Sequence, residues 1–543
     1  MPKEPAHSEQ LAKRCAPARL VRRFTEELPG DKQTSVTPRQ VLGAAFSRVK
    51  PALVQNPSLV GWNTSLASEY GLSALGEDKE TAASVFSGQR LLEGSDPYAM
   101  AYGGHQFGNW AGQLGDGRAI ALGDVEPPGN TTTQTLQLKG AGPTPYSRRA
   151  DGLAVLRSSI REYLASEAMY HLGVPTTRAL SLVLTGDEVM RDILYDGNPA
   201  LEPGAIVCRT APSFIRFGNF ELFASRGEFD ELRQLADFTI RHYFAHLDNS
   251  QSPTVDTYQA WFEEVCDSTA ELMVEWMRVG FVHGVLNTDN MSIHGISIDY
   301  GPYGWIDDFD PSWTPNTTDS THRRYRFGNQ GAVGQWNILQ LANAIVPLVQ
   351  DVASLEKSVN GYGETFQRKH QTMMMNKIGL EPTSESVKSD AELVDELLAI
   401  LPLTETDMTI FYRRLADVDR STADPIGTIS NAYYDVSAVG GDIRDRTTAW
   451  FAKYQQRLGS AGSGMAAERV GRMNQANPCY ILRNYLAQEA IDSATEGDFT
   501  KMDKLAETLE NPYDENPKAT EFSKKRPDWA RDRVGCSMLS CSS

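Results

Sequence analysis

Between residues 283 and 301 the chain concentrates His283, Asn287, Asp289, Asn290 and Asp299 in two short turns, a density of polar side chains that neither a core nor an ordinary surface needs. The run reads His283-Gly-Val-Leu-Asn287-Thr288-Asp289-Asn290, then Ile296-Ser-Ile298-Asp299-Tyr300-Gly301, with Trp305-Ile-Asp307-Asp308 behind it. It follows a helical pattern and precedes a short strand. Magnesium prefers oxygen ligands and keeps several waters, so an amide oxygen and one carboxylate, completed by substrate phosphates, are a usual way to hold it. Asn290 and Asp299 fit that pair. His283 reads as a buried structural residue.

Two textures meet at this run. Residues 99–218 hold glycine-rich turns, short alternating strands and one strong helix, whereas residues 219–485 are dominated by helical periodicity. Residues 1–98 read as an N-terminal extension, with short helical pieces punctuated by Pro, Gly and Ser, and residues 486–543 as a C-terminal one. The expected fold is therefore α+β and two-lobed, a β-rich lobe against an α-rich one, with helical extensions at both ends.

Composition excludes other classes. The 543 residues are 41% hydrophobic and 22% charged, which rules out a collagen-like, coiled-coil or wholly disordered chain. The formal net charge of −18 opposes non-specific binding to nucleic acid or anionic lipid, so an anionic ligand must meet a local basic pocket. No stretch approaches the roughly 20 apolar residues of a membrane span. Six cysteines are too sparse for a disulfide scaffold and lack zinc-type spacing, but Cys536 and Cys541 in the tail are either a redox pair or two inert thiols. Residues 1–23, with Lys3, Lys13, Arg14, Arg19, Arg22 and Arg23 against Glu4 and Glu9, read as a targeting arm or a solvated basic arm.

The β-rich half carries the remaining candidates. Tyr102 to Arg118 contains six glycines, including Gly115 and Gly117, which suits either a phosphate cradle with Arg118 at its exit or a tight hairpin. In Thr135-Leu-Gln-Leu-Lys139 the alternation puts Lys139 on the polar face at a strand end, where it reaches phosphate oxygens or is merely solvated. The helix expected over residues 151–173 has Leu156, Ile160, Leu164, Ala168 and Leu172 as its core stripe. Glu162, on another face, either holds Lys139 or closes a capping box with Ser159. Arg209 and Arg216 are two guanidiniums around a proline turn, suited to phosphate or, on the blander reading, two surface ion pairs.

The spacing of His283, Asn290 and Asp299-Tyr-Gly copies the protein-kinase pattern, except that Val285 stands where that pattern has its catalytic aspartate. Together these blocks, with Leu138-Lys-Gly-Ala-Gly142-Pro-Thr-Pro-Tyr-Ser-Arg148, Arg157-Ser-Ser-Ile-Arg-Glu162 and Pro175-Thr-Thr-Arg-Ala-Leu180, resemble the selenoprotein O family of kinase-like protein adenylyltransferases. Weaker similarity continues through Gly328 to Asn337 and to the Cys-Ser-Ser end. The resemblance implies a kinase-like two-lobed fold in which ATP lies flipped and AMP passes to a protein hydroxyl. It implies that Lys139 and Glu162 position phosphates and that Gly115, Gly117, Arg118, Asp151 and Gly152 line the nucleotide site. Arg209 and Arg216 would hold terminal phosphates, Asn290 and Asp299 the divalent metal, and Asp289 would take the proton. Magnesium is the implied ion, with manganese and uridylyl transfer as a variant; the partners implied are ATP and protein substrates. A conventional phosphotransferase and a nucleotide-binding, redox-sensing pseudoenzyme are the rival readings. Eukaryotic members are typically mitochondrial, so the resemblance points to mitochondria, with the cytoplasm or another organelle as the alternative. In some bacterial relatives the tail cysteine pairs with one in the activation segment; residues 310–318 here have none, so Cys541 would need Cys536 or another partner.

Overall fold

In the computed structural model, which describes residues 19–129, 132–193, 195–248, 252–381, 386–459 and 466–540, the alternation ending at Lys139 is strand β8 (Gln134–Lys139). It is the central strand of an antiparallel sheet with β1 (Leu20–Val21), β2 (Phe46–Arg48), β3 (Ser58–Trp62), β4 (Tyr98–Met100), β7 (Ala119–Val125), β9 (Arg178–Arg191) and β10 (Ala200–Ala211). The order is β2-β4-β7-β8-β10-β9-β3, with β1 beside β7. A separate hairpin, β5 (Gly103–Gln106) and β6 (Asn109–Gln113), is the glycine-rich block. β1 to β3 precede residue 98, so the N-terminal segment supplies strands to the same sheet.

Those early residues also explain why Lys139 is not solvated. Leu136 and Leu138 point into a core with Leu66, Tyr70, Val85 and Phe86 from the N-terminal segment, which covers that face of the sheet. Thr135, Gln137 and Lys139 take the other face, which is buried in turn against helix α1 (Leu156–His171) and the α-rich lobe. The five-residue stripe Leu156, Ile160, Leu164, Ala168 and Leu172 is core as expected. Gly173, at φ +76°, ends the helix in the left-handed conformation that costs a glycine least. Val155 caps its start with no side-chain bond, so Ser159 and Glu162 form no capping box.

In the second lobe, α2 (Phe217–Arg226), α3 (Val255–Val279), α4 (Gln330–Val349) and α5 (Val352–Ile378) pack around one apolar core. Thr254 caps α3 by accepting from the Thr257 N–H, and Gly280 at φ +77° ends it. The chain then enters β11 (Phe281–Val282), which pairs with β12 (Gly304–Trp305) and staples both ends of residues 283–303 together. Gln330 clamps the loop from α4: its amide accepts from the His283 N–H at 3.0 Å and donates to the Phe281 carbonyl at 2.9 Å. Asn337, about two turns further along the same face, donates to the Leu286 carbonyl at 3.0 Å.

The C-terminal segment returns to this junction. Arg483 is buried between Asp307, at 2.9 Å, and Asp407, at 2.8 Å. Leu539 pairs by backbone with residues 315–317, and the Ser540 hydroxyl donates to the Ile193 carbonyl in the β9–β10 hairpin, so the tail touches both lobes. Among the described residues no helix is long and apolar enough to cross a membrane.

Candidate active site

Four charged groups meet where the lobes face each other. Lys139 Nζ lies 2.6 Å from Glu162 Oε2 and 2.5 Å from Asp299 Oδ1. Arg209, one strand over and opposite Gln137 in the ladder, reaches the same two carboxylates at 2.8 and 3.1 Å and donates through Nε to the Gln137 amide oxygen. Glu162 thus holds Lys139, the reading the strand and helix patterns left open. Lys139 and Arg209 hold the Asp299 carboxyl well below the usual carboxylate range against the opposing effect of its burial. Asp299 is therefore ionised at neutral pH. Its Oδ1 carries both cations, which leaves Oδ2 for another positive charge.

Arg216 begins α2 and donates to the Asp289 carbonyl at 2.7 Å, with its guanidinium stacked over Tyr102 and 3.8 Å from Asp116. Arg209 and Arg216 are 1% and 3% exposed, which overturns the surface-ion-pair reading of both. A buried arginine with a carboxylate neighbour stays charged, so both cations are fixed parts of the cleft wall. Asp116 was not singled out by sequence reasoning, although it sits within the glycine-rich block. It accepts from the Met100 N–H and the Gln137 amide, and burial raises its carboxyl above the ordinary value.

Asp289 is buried beneath the β5–β6 hairpin. Its Oδ2 accepts from the Gln106 amide at 3.0 Å, while Oδ1 is buried without a hydrogen-bond partner, and burial pushes the carboxyl up to about 6. The hairpin is sewn to the loop by two more bonds, His105 N–H to Thr288 Oγ1 at 2.7 Å and Phe107 N–H to Asn287 Oδ1 at 3.3 Å. Gly104 permits this approach: a Cβ there would stand 2.7 Å from Asp289 Oδ1. The glycine-rich block is thus a hairpin, as its blander reading had it, and one that lies on the loop carrying Asn287, Thr288 and Asp289. Nothing in the spacing singled out Gln106, because its partner is 183 residues away.

Asn290 donates its amide N–H to the Val285 carbonyl at 2.8 Å, which leaves the amide oxygen for a cation. His283 is buried, and burial drives its imidazole down to about 4, so it is a neutral structural residue. A cavity of about 720 Å³ runs between the lobes and is lined by Gly115, Gly117, Arg118, Lys139, Asp151, Gly152, Arg209, Arg216, Asp289, Asn290 and Asp299. Every expected site residue of the two lobes therefore borders one space, except Glu162, which stands behind Lys139. Asp151 is bound at 2.8 and 2.9 Å by Arg191, a residue of β9 that sequence reasoning missed. Arg148 and Arg149 line the same cavity. No cluster of three or more His, Cys, Asp or Glu suited to a metal exists among the described residues. The Asn290 and Asp299 oxygens still fit a cation that takes its other ligands from phosphate and water.

The sequence model of the protein adenylyltransferase SelO family matches residues 34–510. The chain belongs to the SelO family. It is 53% identical to the protein nucleotidyltransferase YdiU of Flavobacterium johnsoniae over 96% of this chain and 98% of that protein. The YdiU proteins of Rhodopirellula baltica and Azoarcus sp. are each 54% identical over 96% of this chain and 98% of theirs. As a SelO-family chain it is a kinase-like α+β protein nucleotidyltransferase, an activity that takes a nucleotide and a divalent metal. These relatives are bacterial, so the mitochondrial destination drawn from eukaryotic members finds no support in them. Most of the basic arm, residues 1–18, and Cys541 lie outside the described residues. Cys536 is a free, buried thiol pushed up to about 11 by that burial.

Proposed function

We propose that this SelO-family chain transfers AMP from ATP to a Ser, Thr or Tyr hydroxyl of other proteins. The acceptor oxygen forms a bond to the α-phosphorus, the bond from that phosphorus to the bridging oxygen breaks, pyrophosphate leaves, and the hydroxyl proton passes to Asp289. The observation that carries this is the Asp289 carboxyl, held on one oxygen by Gln106 and with the other uncommitted, in a cleft where the kinase position for a base is Val285. Lys139, Arg209 and Arg216 form one cationic wall fixed before substrate arrives, which favours the charge of the departing pyrophosphate without reorganisation. Asn290 and Asp299 would hold Mg2+, which would supply further charge neutralisation at the phosphates. Gly115, Gly117, Arg118, Asp151 and Gly152 would bind the rest of the nucleotide.

The test is parallel incubation with ATP labelled at the α- or the γ-phosphate, Mg2+ and a protein acceptor, in wild type, Asp289→Asn and Asp299→Ala. Protein-bound α-label that falls roughly 100-fold or more in both variants is expected; γ-label on the acceptor would make the enzyme a kinase and overturn the reading. UTP with Mn2+ in the same assay measures the choice of base. A tail disulfide between Cys536 and Cys541 would add redox control, which a free-thiol count on oxidised and reduced protein reads.

A further inference from the structure

Beside the cleft, outside the residues that line its cavity, the sequence His322-Arg-Arg-Tyr-Arg326 packs three arginines into four positions of a chain whose net charge is −18. Among the described residues no carboxylate oxygen lies within 4.0 Å of the guanidinium of Arg323, Arg324 or Arg326, while most other arginines here are paired. Arg323 is exposed, and its Nη1 donates to the Ser312 hydroxyl at 3.1 Å; Arg326 donates to the Arg323 carbonyl. Arg324 lies over the Trp336 ring at 4.7 Å, and its Nε is buried without a partner.

This turn adjoins the tip of the β5–β6 hairpin. A Cβ on Gly108 would stand 3.5 Å from the Arg324 guanidinium carbon, and the Tyr325 hydroxyl accepts from the Phe107 N–H at 2.8 Å while donating to Asn287 in the catalytic loop. The tip leaves Phe107 37% and Trp110 39% exposed, two aromatic rings one side chain away from the Gln106–Asp289 bond. Phe107 and Arg323 also hold φ angles of +50° and +47°, a conformation that non-glycine residues adopt at a cost and that clusters at ligand-binding positions. A cationic, partly aromatic shelf is thus built against the loop that carries Asp289.

We propose that this shelf docks the acceptor protein through an acidic segment flanking the modified hydroxyl, its carboxylates on Arg323 and Arg326 and its apolar groups on Phe107 and Trp110. The proposal rests on the nucleotidyl-transfer reading and names the substrate class of that site. Charge complementarity carries it: unpaired guanidiniums on an acidic protein attract a local negative patch and repel a basic one, and they sit on the turn that touches the hairpin lying over Asp289.

The experiment measures fluorescence anisotropy of two short labelled peptides, one with a tyrosine flanked by glutamates and one flanked by serines, against the full chain without nucleotide. Wild type is expected to bind the acidic peptide roughly ten-fold more tightly, with the difference shrinking as salt rises. The double variant Arg323→Glu with Arg326→Glu should erase that preference, while Arg420→Glu, the same kind of charge change at an exposed residue elsewhere, should keep it. Equal binding of the two peptides by wild type, no binding of the acidic one, or equal loss in Arg420→Glu would each overturn the shelf. Because binding is read without ATP, an absence of α-label on every acceptor would sink the transfer reading and leave this result standing.

Discussion

Asp289 and Lys139 show two ways of setting a side chain. Lys139 is fixed by opposite charge, with Glu162 and Asp299 both within 2.6 Å. Asp289 is fixed by a single neutral amide, from Gln106, on one of its two oxygens. Replacing Gln106 by Ala removes that bond and frees the carboxylate to rotate, and misplacing the base proposed above in a bound complex would lower turnover more than binding. We expect kcat to fall about ten-fold in Gln106→Ala with the KM for ATP unchanged; steady-state kinetics with α-labelled ATP check the split. A matching rise in KM would mean that Gln106 binds nucleotide and does not position the base.

At the scale of elements, β7 and β8 carry a buried carboxylate that the chemistry does not use. Asp124 of β7 faces Thr135 of β8 in the ladder, accepts its hydroxyl at 2.7 Å and is raised by burial to about 6. An acid whose folded value exceeds its unfolded one holds its proton more tightly in the native state, so its contribution is full below about 4 and is lost as pH rises through about 6. Asp124→Asn keeps an oxygen for the Thr135 hydroxyl and removes the charge. It should stabilise the protein above pH 6, by up to about 3 kcal/mol, and leave it unchanged near pH 4. Urea midpoints of both proteins at several pH values read this directly. The helix α1 and strand β8 were legible in sequence because their periods, 3.6 and 2, mark which side is buried. What lay against each polar face was not, since alternation cannot tell a solvated face from one covered by a second lobe.

Across the whole molecule, ion pairs differ in weight according to burial. Arg483 joins Asp307, a few residues beyond Asp299, to Asp407, which also caps the helix Met408–Leu415 by accepting from Ile410 N–H. All three are almost fully buried. Arg483→Met would strand two carboxylates in a low dielectric and should cost about 3–5 kcal/mol. The exposed Arg414–Asp417 pair, by contrast, should cost less than about 1 kcal/mol when Arg414 becomes Ala. Thermal midpoints of the two variants, compared with wild type, decide between these weights.

Local pattern by itself determined the strand ending at Lys139, the main helix, and the kinase-like spacing of His283, Asn290 and Asp299 with Val285 in place of an aspartate, because each depends on spacing within a few residues. The family resemblance drew the residues of both lobes into one expected nucleotide site. Only the tertiary structure decided that Arg209 and Arg216 are buried wall and not surface, that Asp116, Gln106 and Arg191 belong to the cleft, and that the early strands complete the sheet. Those outcomes depend on partners far apart in the chain, as with Gln106 and Asp289, and on how two lobes exclude water between them; a side chain's charge and hydrogen bonds are set by what folding brings against it, which no local pattern records.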